Sequence, residues 1–296
     1  MPVGLTAPIA YLNAEFIPLQ ELNFSYNNRS MQYGDGLFES IRVHQGLPLF
    51  VEDHIERLLA GMYALGFDFP LFDPVHFYHS MVKLGELNQI AEGRLRVQVV
   101  RNTGGFYRPN VDSCSLFMTL EPLEESLYSI NEKGLRLGLF SEIRKPVNVL
   151  SGIKSTSALL YVLGAREARQ QNCDDTLMLN EFGRICEATS GNLFLLMADG
   201  KVLTPSVSEG ILPGVFRKRL IIKLREVGVE VEEGQVMHDD MYKASEVWLT
   251  NAIKGLRWVI SWKERRYFGT QARRVAELLR AEAAHYIGPA EKQTNA

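Results

Sequence analysis

The chain has 296 residues, of which 46% are hydrophobic and 23% charged, and its formal net charge is −3. This length suits one large domain or two modest ones with an ample core. Because the basic residues are scattered, composition gives no electrostatic case for binding nucleic acid or an anionic membrane.

The first part of the chain reads as strands and helices packed on one another. Hairpins are predicted over 9–18 and 37–50, followed by a helix from Val51 that stops at Gly66. Asp73 is the predicted N-cap of the next helix, and Pro74 its first helical residue. Strict alternation of polar and apolar residues over 94–99 predicts a strand with one solvent-exposed face. This strand is expected to pair with 114–120 across the loop 102–112.

A break in the pattern at 122–131 predicts a linker between domains 1–121 and 132–296. The second part restarts with a strand over 134–140, and a helix is predicted over Ser155–Gln171. The remaining strands are predicted at 176–180, 185–187, 192–197, 202–204, 229–233, 246–250 and 256–262, with helices at 214–227 and 271–285. The expected fold is α+β with two domains and a cleft between them.

Targeting signals and cysteines indicate a cytoplasmic protein. Met1–Thr6 lacks the basic and apolar regions of a signal peptide, and no apolar run approaches the length of a bilayer span. Cys114, Cys173 and Cys186 are odd in number and far apart, so they suit buried thiols rather than disulfides or a zinc site. No metal is expected.

Three separated features together match the requirements of pyridoxal 5'-phosphate. Lys154, among small residues, offers an amine for a Schiff base, and Glu187 at a strand end offers a carboxylate for the pyridine nitrogen. The N–H groups of Val215 and Phe216 begin a helix after Gly214, as a phosphate site requires. Each feature alone is weak: a lone lysine is usually solvated, and Glu187 could equally be a surface or capping carboxylate.

Two arginines have both a functional and an ordinary interpretation. Arg57 lies one helical turn from His54, where it could grip the phosphate or form a surface salt bridge. Arg108, in a loop after Gly104 and Gly105, could bind a substrate carboxylate or be solvated.

These residues together resemble the fold type IV, or class IV, family of pyridoxal-phosphate enzymes. The family includes branched-chain aminotransferases, D-amino-acid aminotransferases and aminodeoxychorismate lyases. The resemblance runs from Tyr33–Arg42 through the His54–Leu58 motif and Lys154 to Leu249–Ala252. It implies a small α/β domain and a larger pseudo-barrel domain, with an active site between them in a homodimer.

The resemblance also implies roles for individual residues. Lys154 would be the Schiff-base lysine and proton carrier, and Glu187 the pyridine-nitrogen partner. Arg57, Val215, Phe216 and Asn251 would surround the phosphate, with Asn251 in the place of a family Ser or Thr.

Departures from the family pattern leave the subfamily open. Ser40 replaces a glycine of branched-chain enzymes, Leu159 replaces their tyrosine near the cofactor hydroxyl, and Phe38 stands where D-amino-acid enzymes have Tyr. Asn251-Ala252 and the Gly104–Pro109 loop resemble lyases instead.

The leading expectation is transamination between a hydrophobic or branched-chain amino acid and a 2-oxo acid, through a Lys154 Schiff base. Phe38, Tyr107, Leu159 and Ala252 would line the side-chain pocket, and Arg108 would bind the carboxylate. One alternative is a lyase that releases pyruvate from aminodeoxychorismate. Another is a protein that binds pyridoxal phosphate without turnover, which would need neither Lys154 nor Glu187.

Overall fold

A computed structural model describes residues 7–68, 73–286 and 288. The chain divides into two compact units. The first contains the residues up to Glu124, the short segment Lys154–Ser157 and the residues from His285 onward; the second contains Glu125–Ile153 and Ala158–Ala284. Met1–Thr6, on which the absence of a leader was predicted, lies outside the described residues.

The first unit is organised by a six-stranded antiparallel sheet in the order β2-β1-β6-β5-β3-β4. Its strands are β1 (Ile9–Leu12), β2 (Glu15–Pro18), β3 (Gly36–His44), β4 (Leu47–Pro48), β5 (Gly93–Arg101) and β6 (Cys114–Pro122). Its helices are α1 (Arg29–Tyr33), α2 (Val51–Ala64) and α3 (Pro74–Asn88).

Strand β5 shows why the alternating pattern predicts one buried face. Leu95, Val97 and Val99 are fully buried, whereas the intervening residues are only half-buried. The predicted cap of α3 is confirmed, because the Asp73 carboxylate accepts a 2.9 Å hydrogen bond from the Val75 N–H and Pro74 occupies the first turn.

The segment Lys154–Ser157 pairs with the start of β3. The Phe38 N–H donates to the Lys154 carbonyl at 3.0 Å, and the Thr156 N–H donates to the Gly36 carbonyl at 2.9 Å. The prediction of a helix from Ser155 is therefore wrong at its start, because these residues are extended. The helix begins only at Leu159.

The second unit contains a nine-stranded mixed sheet. Its strands are β7 (Leu135–Lys145), β8 (Asp175–Asn180), β9 (Ile185–Ala188), β10 (Asn192–Leu196), β11 (Val202–Pro205), β12 (Val231–Gly234), β13 (Glu246–Asn251), β14 (Gly255–Trp262) and β15 (Arg265–Arg266). Its helices are α4 (Leu159–Gln170), α5 (Val215–Glu226), α6 (His238–Lys243) and α7 (Thr270–Ala284). The main strand order is β12-β11-β10-β13-β14-β7-β8-β9, and β15 pairs with β14.

This larger sheet curls back toward itself. The N–H of Ile185 in β9, at one end of the strand order, donates to the carbonyl of Val236, just beyond β12 at the other end. Fully buried side chains fill its interior, including Leu177, Val247 and Trp262. The pairing of β7, β8 and β9, and the short turn between β9 and β10, bring polar side chains of these strands together.

No helix within residues 7–68 and 73–286 is long and apolar enough to cross a membrane. The three thiols are free, but only Cys186 is buried; the expectation of burial is wrong for Cys114 and Cys173, which are half-buried.

Candidate active site

Glu187 and Lys145 form a buried ion pair in the second unit. Glu187 lies on β9 opposite Met178 of β8, and its side chain is 3% exposed. The ammonium of Lys145, at the end of β7, is 4% exposed and contacts Glu187 Oε1. A shift in the β7–β8 register between Phe140 and Lys145 separates this lysine from the regular part of the strand.

Tyr161 of α4 completes a triangle with this pair. Its hydroxyl donates to Glu187 Oε1 at 2.8 Å and accepts from Lys145 Nζ at 2.8 Å. Burial, and then the negative charge of Glu187, raise the pKa of Tyr161, so it stays a neutral donor. Burial likewise raises the pKa of the neighbouring Cys186 thiol to about 12.

The second oxygen of Glu187 is held from the turn before α5. Oε2 accepts a 2.9 Å hydrogen bond from the Leu212 N–H and a longer contact of 3.5 Å from the Asn192 amide. Asn192 also donates to the Leu212 carbonyl at 2.8 Å, so it fastens β10 to this turn. The four donors define the orientation of the carboxylate.

Helix α5 begins beside this carboxylate with an uncapped N-terminus. Its N-cap is Gly214, which provides no side-chain hydrogen bond, so the N–H groups of the first turn, Val215 and Phe216, have no acceptor within the helix. A Cβ at residue 214 would overlap the Asn192 amide, so glycine is required there. This arrangement suits an anion with several oxygens.

Asn251 makes a loop-stabilising set of hydrogen bonds at the end of β13. Its side-chain oxygen accepts from the N–H groups of Ile253 and Lys254, and its amide donates to the Ser190 carbonyl at 2.9 Å. The carbonyl of Ala252 accepts from the Tyr128 hydroxyl. Of the polar side-chain atoms in the described residues, Thr250 Oγ1 is one that is buried without a partner in the structure.

Lys154 belongs to the first unit, where its main chain is fixed by β3. Its ammonium lies 4.3 Å from the centroid of the Phe38 ring. The Phe38 ring therefore provides an aromatic surface beside the Lys154 amine. The guanidinium of Arg96 lies 4.2 Å from the centroid of the same ring.

Arg57 is fixed by Glu39, also in the first unit. Its Nε donates to Glu39 Oε1 at 2.8 Å and its Nη2 to Oε2 at 2.5 Å, while His54 Nδ1 lies 2.7 Å from Oε2. Burial opposes ionisation of Glu39, but the Arg57 charge and the His54 hydrogen bond prevail and lower its pKa to about 2. Arg57 thus takes part in a buried ion pair and not in a surface salt bridge. This pair is compatible with a further contact between Arg57 and a phosphate.

Tyr107 and Arg108 lie in an exposed loop of the first unit, and a buried arginine is hydrogen-bonded to the main chain of this loop. The Arg29 guanidinium donates to the carbonyls of Gly104 and Phe106, at 3.1 and 2.6 Å, and also to Asp35. The Tyr107 ring is 88% exposed and packs on Tyr33 with centroids 5.5 Å apart. Leu159, at the start of α4 in the second unit, is 73% exposed.

The structure thus groups Glu187 with the start of α5, as the sequence suggests, and adds Lys145 and Tyr161. Sequence periodicity gives no indication of these two residues, because their importance depends on the pairing of β7, β8 and β9. The only sequence signal is that a lysine follows the alternating run 135–140, and this signal is weak alone.

Comparison with known proteins identifies the family. Residues 36–262 match the model of the amino-transferase class IV family. A putative branched-chain-amino-acid aminotransferase of Methanocaldococcus jannaschii is 30% identical over 81% of this chain and 83% of its own length. An aminodeoxychorismate lyase of Bacillus subtilis is 26% identical over 82% of this chain and 83% of its own.

The fold agrees with solved structures of the same kind. The branched-chain amino acid aminotransferase of Thermobaculum terrenum in its PLP form superposes with a TM-score of 0.84 at 22% identity, covering 94% of both chains. The chain belongs to the class IV aminotransferases and has the fold type IV architecture that the resemblance implied. The family depends on pyridoxal phosphate, which confirms the expected cofactor.

The residues present fit this cofactor. The uncapped N-terminus of α5 suits its phosphate, and the buried carboxylate of Glu187 suits its ring nitrogen, because both groups are chemically complementary.

Proposed function

We propose that the chain is an aminotransferase in which Lys154 carries the cofactor as a Schiff base. The observation that supports this most strongly is Glu187, a carboxylate buried to 3% exposure and held by four donors. Mere structural stability does not require such a residue, since a buried ion pair is often no more stabilising than apolar side chains.

Pyridoxal phosphate, when bound, supplies an electron sink for the α-carbon of an amino acid. Lys154 Nζ would take the proton from that carbon and return it to the cofactor carbon. Glu187 would favour the protonated ring nitrogen. The N–H groups of Val215 and Phe216, together with Arg57 and Asn251, would bind the phosphate.

For the substrate, we propose a hydrophobic or branched-chain amino acid. Phe38, Tyr107, Leu159 and Ala252 offer apolar contact, and Arg108 offers a guanidinium for the carboxylate. The relative from M. jannaschii, whose name includes branched-chain aminotransferase, supports this choice. A cationic donor side chain would be desolvated there without a partner, at a cost of several kcal/mol.

A lyase that releases pyruvate from aminodeoxychorismate is the second candidate. Two features favour it: the Asn251-Ala252 pair in the late loop, and the 26% identity to the lyase of B. subtilis. Both activities would use the same cofactor and the same Lys154 and Glu187.

A substrate panel separates the two candidates. Amino donors are paired with 2-oxoglutarate and with pyruvate, and aminodeoxychorismate is tested for pyruvate release. Aminotransferase function predicts catalytic efficiencies for hydrophobic donors that exceed those for lysine, arginine and ornithine by orders of magnitude. Weak transamination with every donor and fast pyruvate release would establish the lyase instead, and bound cofactor without turnover would refute both.

We further propose that the protein acts as a homodimer, as the family resemblance implies. The exposed aromatic and apolar side chains Met31, Phe106 and Tyr107 of the first unit would support such an association. Light scattering of the purified protein measures the oligomeric state, and a monomer at micromolar concentration would refute the proposal.

A further inference from the structure

Lys145 is a buried charged group to which the proposed chemistry gives no role. Its side chain is 4% exposed, and its ammonium contacts the carboxylate of Glu187. Burying an ammonium and a carboxylate costs desolvation free energy that their attraction recovers only with good geometry and further hydrogen bonds. The pair has those further bonds, through Tyr161 and Leu212.

The strand that carries Lys145 is irregular where it reaches this site. Four exposed residues, 141–144, precede the buried lysine, and the register with β8 shifts over the same stretch. The main chain still anchors the lysine, because its carbonyl accepts from the Glu181 N–H at 2.9 Å. The irregular stretch thus ends at a fixed point from which the side chain reaches inward to Glu187.

The two carboxylate oxygens of Glu187 are held in different ways. Oε1 receives the ammonium of Lys145 and the hydroxyl of Tyr161, whereas Oε2 receives one strong main-chain bond from Leu212 and a long contact from Asn192. The two hydrogen bonds to Oε1 fix the rotation of the carboxylate, and Oε2 has the weaker set of hydrogen bonds. Oε2 is the oxygen with remaining capacity to accept a hydrogen bond.

We propose that Lys145 is a positioning residue which, together with Tyr161, keeps Glu187 turned so that Oε2 can accept the N–H of the cofactor ring. This inference rests on the proposed role of Glu187. Without the ammonium, the buried carboxylate would lack its counter-charge in the cofactor-free protein and would turn toward other donors. A misdirected Glu187 no longer favours a protonated ring nitrogen.

A comparison of two cofactors isolates this effect from general stability. Binding of pyridoxal phosphate and of its 1-deaza analogue, in which a C–H replaces the ring nitrogen, is measured for each variant. Lys145→Met should weaken binding of pyridoxal phosphate by about tenfold or more, the size of one charge-assisted hydrogen bond. Binding of the deaza analogue, which cannot use Glu187, should change less than about threefold.

The matched variants test the role of charge and of the hydroxyl. Lys145→Arg retains the cation and should restore most of the preference for pyridoxal phosphate over its analogue. Tyr161→Phe removes one donor and should reduce that preference by a smaller factor. The nitrogen chemical shift of 15N-labelled cofactor reports ring protonation directly and should move toward the unprotonated value in Lys145→Met.

The outcomes distinguish this inference from the proposed function. Glu187→Gln should abolish the preference for pyridoxal phosphate; if the preference survives, the proposed role of Glu187 itself fails. Suppose instead that Glu187→Gln abolishes the preference for pyridoxal phosphate, but Lys145→Met either leaves the preference unchanged or weakens binding of both cofactors equally. Lys145 is then only structural, and the inference is overturned. If Lys145→Met does not fold, the less disruptive Tyr161→Phe must still lower the preference, and no change in it overturns the inference.

Discussion

The N–H of Phe38 is hydrogen-bonded to the carbonyl of Lys154 at 3.0 Å, and the ring of Phe38 lies 4.3 Å from the Lys154 ammonium. One residue of β3 therefore fixes both the main chain of the lysine and the direction of its side chain. Such a double constraint suits a lysine that must present its amine in one place.

Borohydride treatment tests the assignment of Lys154. The purified protein should be yellow, and reduction should attach the cofactor covalently to Lys154, as peptide mass spectrometry would show. Lys154→Ala should lose the label and turnover while it retains the fold, because the hydrogen bond to Phe38 uses only the main chain. Label recovered on Lys145, or on no lysine, would contradict the assignment.

Glu187→Gln should lower kcat by about a hundredfold, because a neutral amide no longer favours a protonated ring nitrogen. Cofactor should still bind through its phosphate. Glu209→Gln is a matched control, since this buried carboxylate of the same unit contacts Arg184 and Asn180 instead. The control should reduce stability and leave kcat per folded molecule unchanged; a near wild-type rate for Glu187→Gln would make Glu187 structural.

Arg57→Ala should weaken cofactor binding by about 2 kcal/mol, the contribution of a charge-assisted hydrogen bond. The variant also leaves Glu39 buried without its main cation, which would lower the stability of the fold. The double variant Arg57→Met with Glu39→Gln removes both charges, so its cofactor affinity can be measured without that loss of stability. Calorimetric titration with pyridoxal phosphate and with unphosphorylated pyridoxal measures the effect. An equal loss for both ligands would exclude a phosphate contact.

Acidification should destabilise the first unit through Glu39. A carboxyl whose pKa falls from 4.5 to about 2 on folding contributes about 3 kcal/mol to the free energy of unfolding at neutral pH. Because the folded pKa is the lower one, this contribution is complete above about pH 4.5 and is lost as the pH falls toward 2. Burial also lowers the pKa of His54, so its protonation in acid acts in the same direction.

Urea unfolding from pH 7 to pH 2 measures this dependence. Glu39→Gln should be less stable at neutral pH and should show a flatter profile below about pH 4.5. Glu86→Gln provides the comparison, since Glu86 is 60% exposed in its pair with Lys83 and should leave the profile unchanged. Parallel curves for wild type and Glu39→Gln would refute the assignment.

Arg108→Ala should raise KM for carboxylate substrates by about tenfold or more, with a smaller effect on kcat. The exposed Arg166 of α4 supplies a control of equal charge change, and Arg166→Ala should leave KM unaltered. Steady-state kinetics with one hydrophobic donor suffices. An unchanged KM in Arg108→Ala would mean that this loop arginine is solvated and that another group binds the carboxylate.

Local chemistry explains which parts of the fold could be predicted. The cap of α3 is predictable because Asp73 accepts from an N–H two residues away and Pro74 has the backbone angle of a first helical residue. The alternation of β5 likewise indicates one buried face directly. The short helices α1 and α6, of five and six residues, were missed because they are too short to show a helical period. The predicted start of α4 at Ser155 is too early, because Ser155 and Thr156 have small polar side chains that fit either an extended or a helical conformation.

The chemistry of the site is predictable from the sequence only where the interacting groups lie close together in the chain. The start of α5 is such a case, because Gly214 and the first-turn N–H groups of Val215 and Phe216 are neighbours in the sequence. Lys145 lies 42 residues from Glu187, and only the pairing of β7, β8 and β9 brings them together. The role of Glu39 also depends on tertiary structure, since its partners His54 and Arg57 lie on α2.

The insertion of Lys154–Ser157 beside β3 has a consequence for synthesis on the ribosome. Strand β4 pairs with β3 only at Val43 and His44, so the outer edge at Gly36–Phe38 stays open until residues 154–157 have been translated. An open strand edge is a template for pairing with other chains. A truncated product that stops at Glu124 would therefore expose this edge, and expression of the first unit alone would favour aggregation unless the missing strand were supplied.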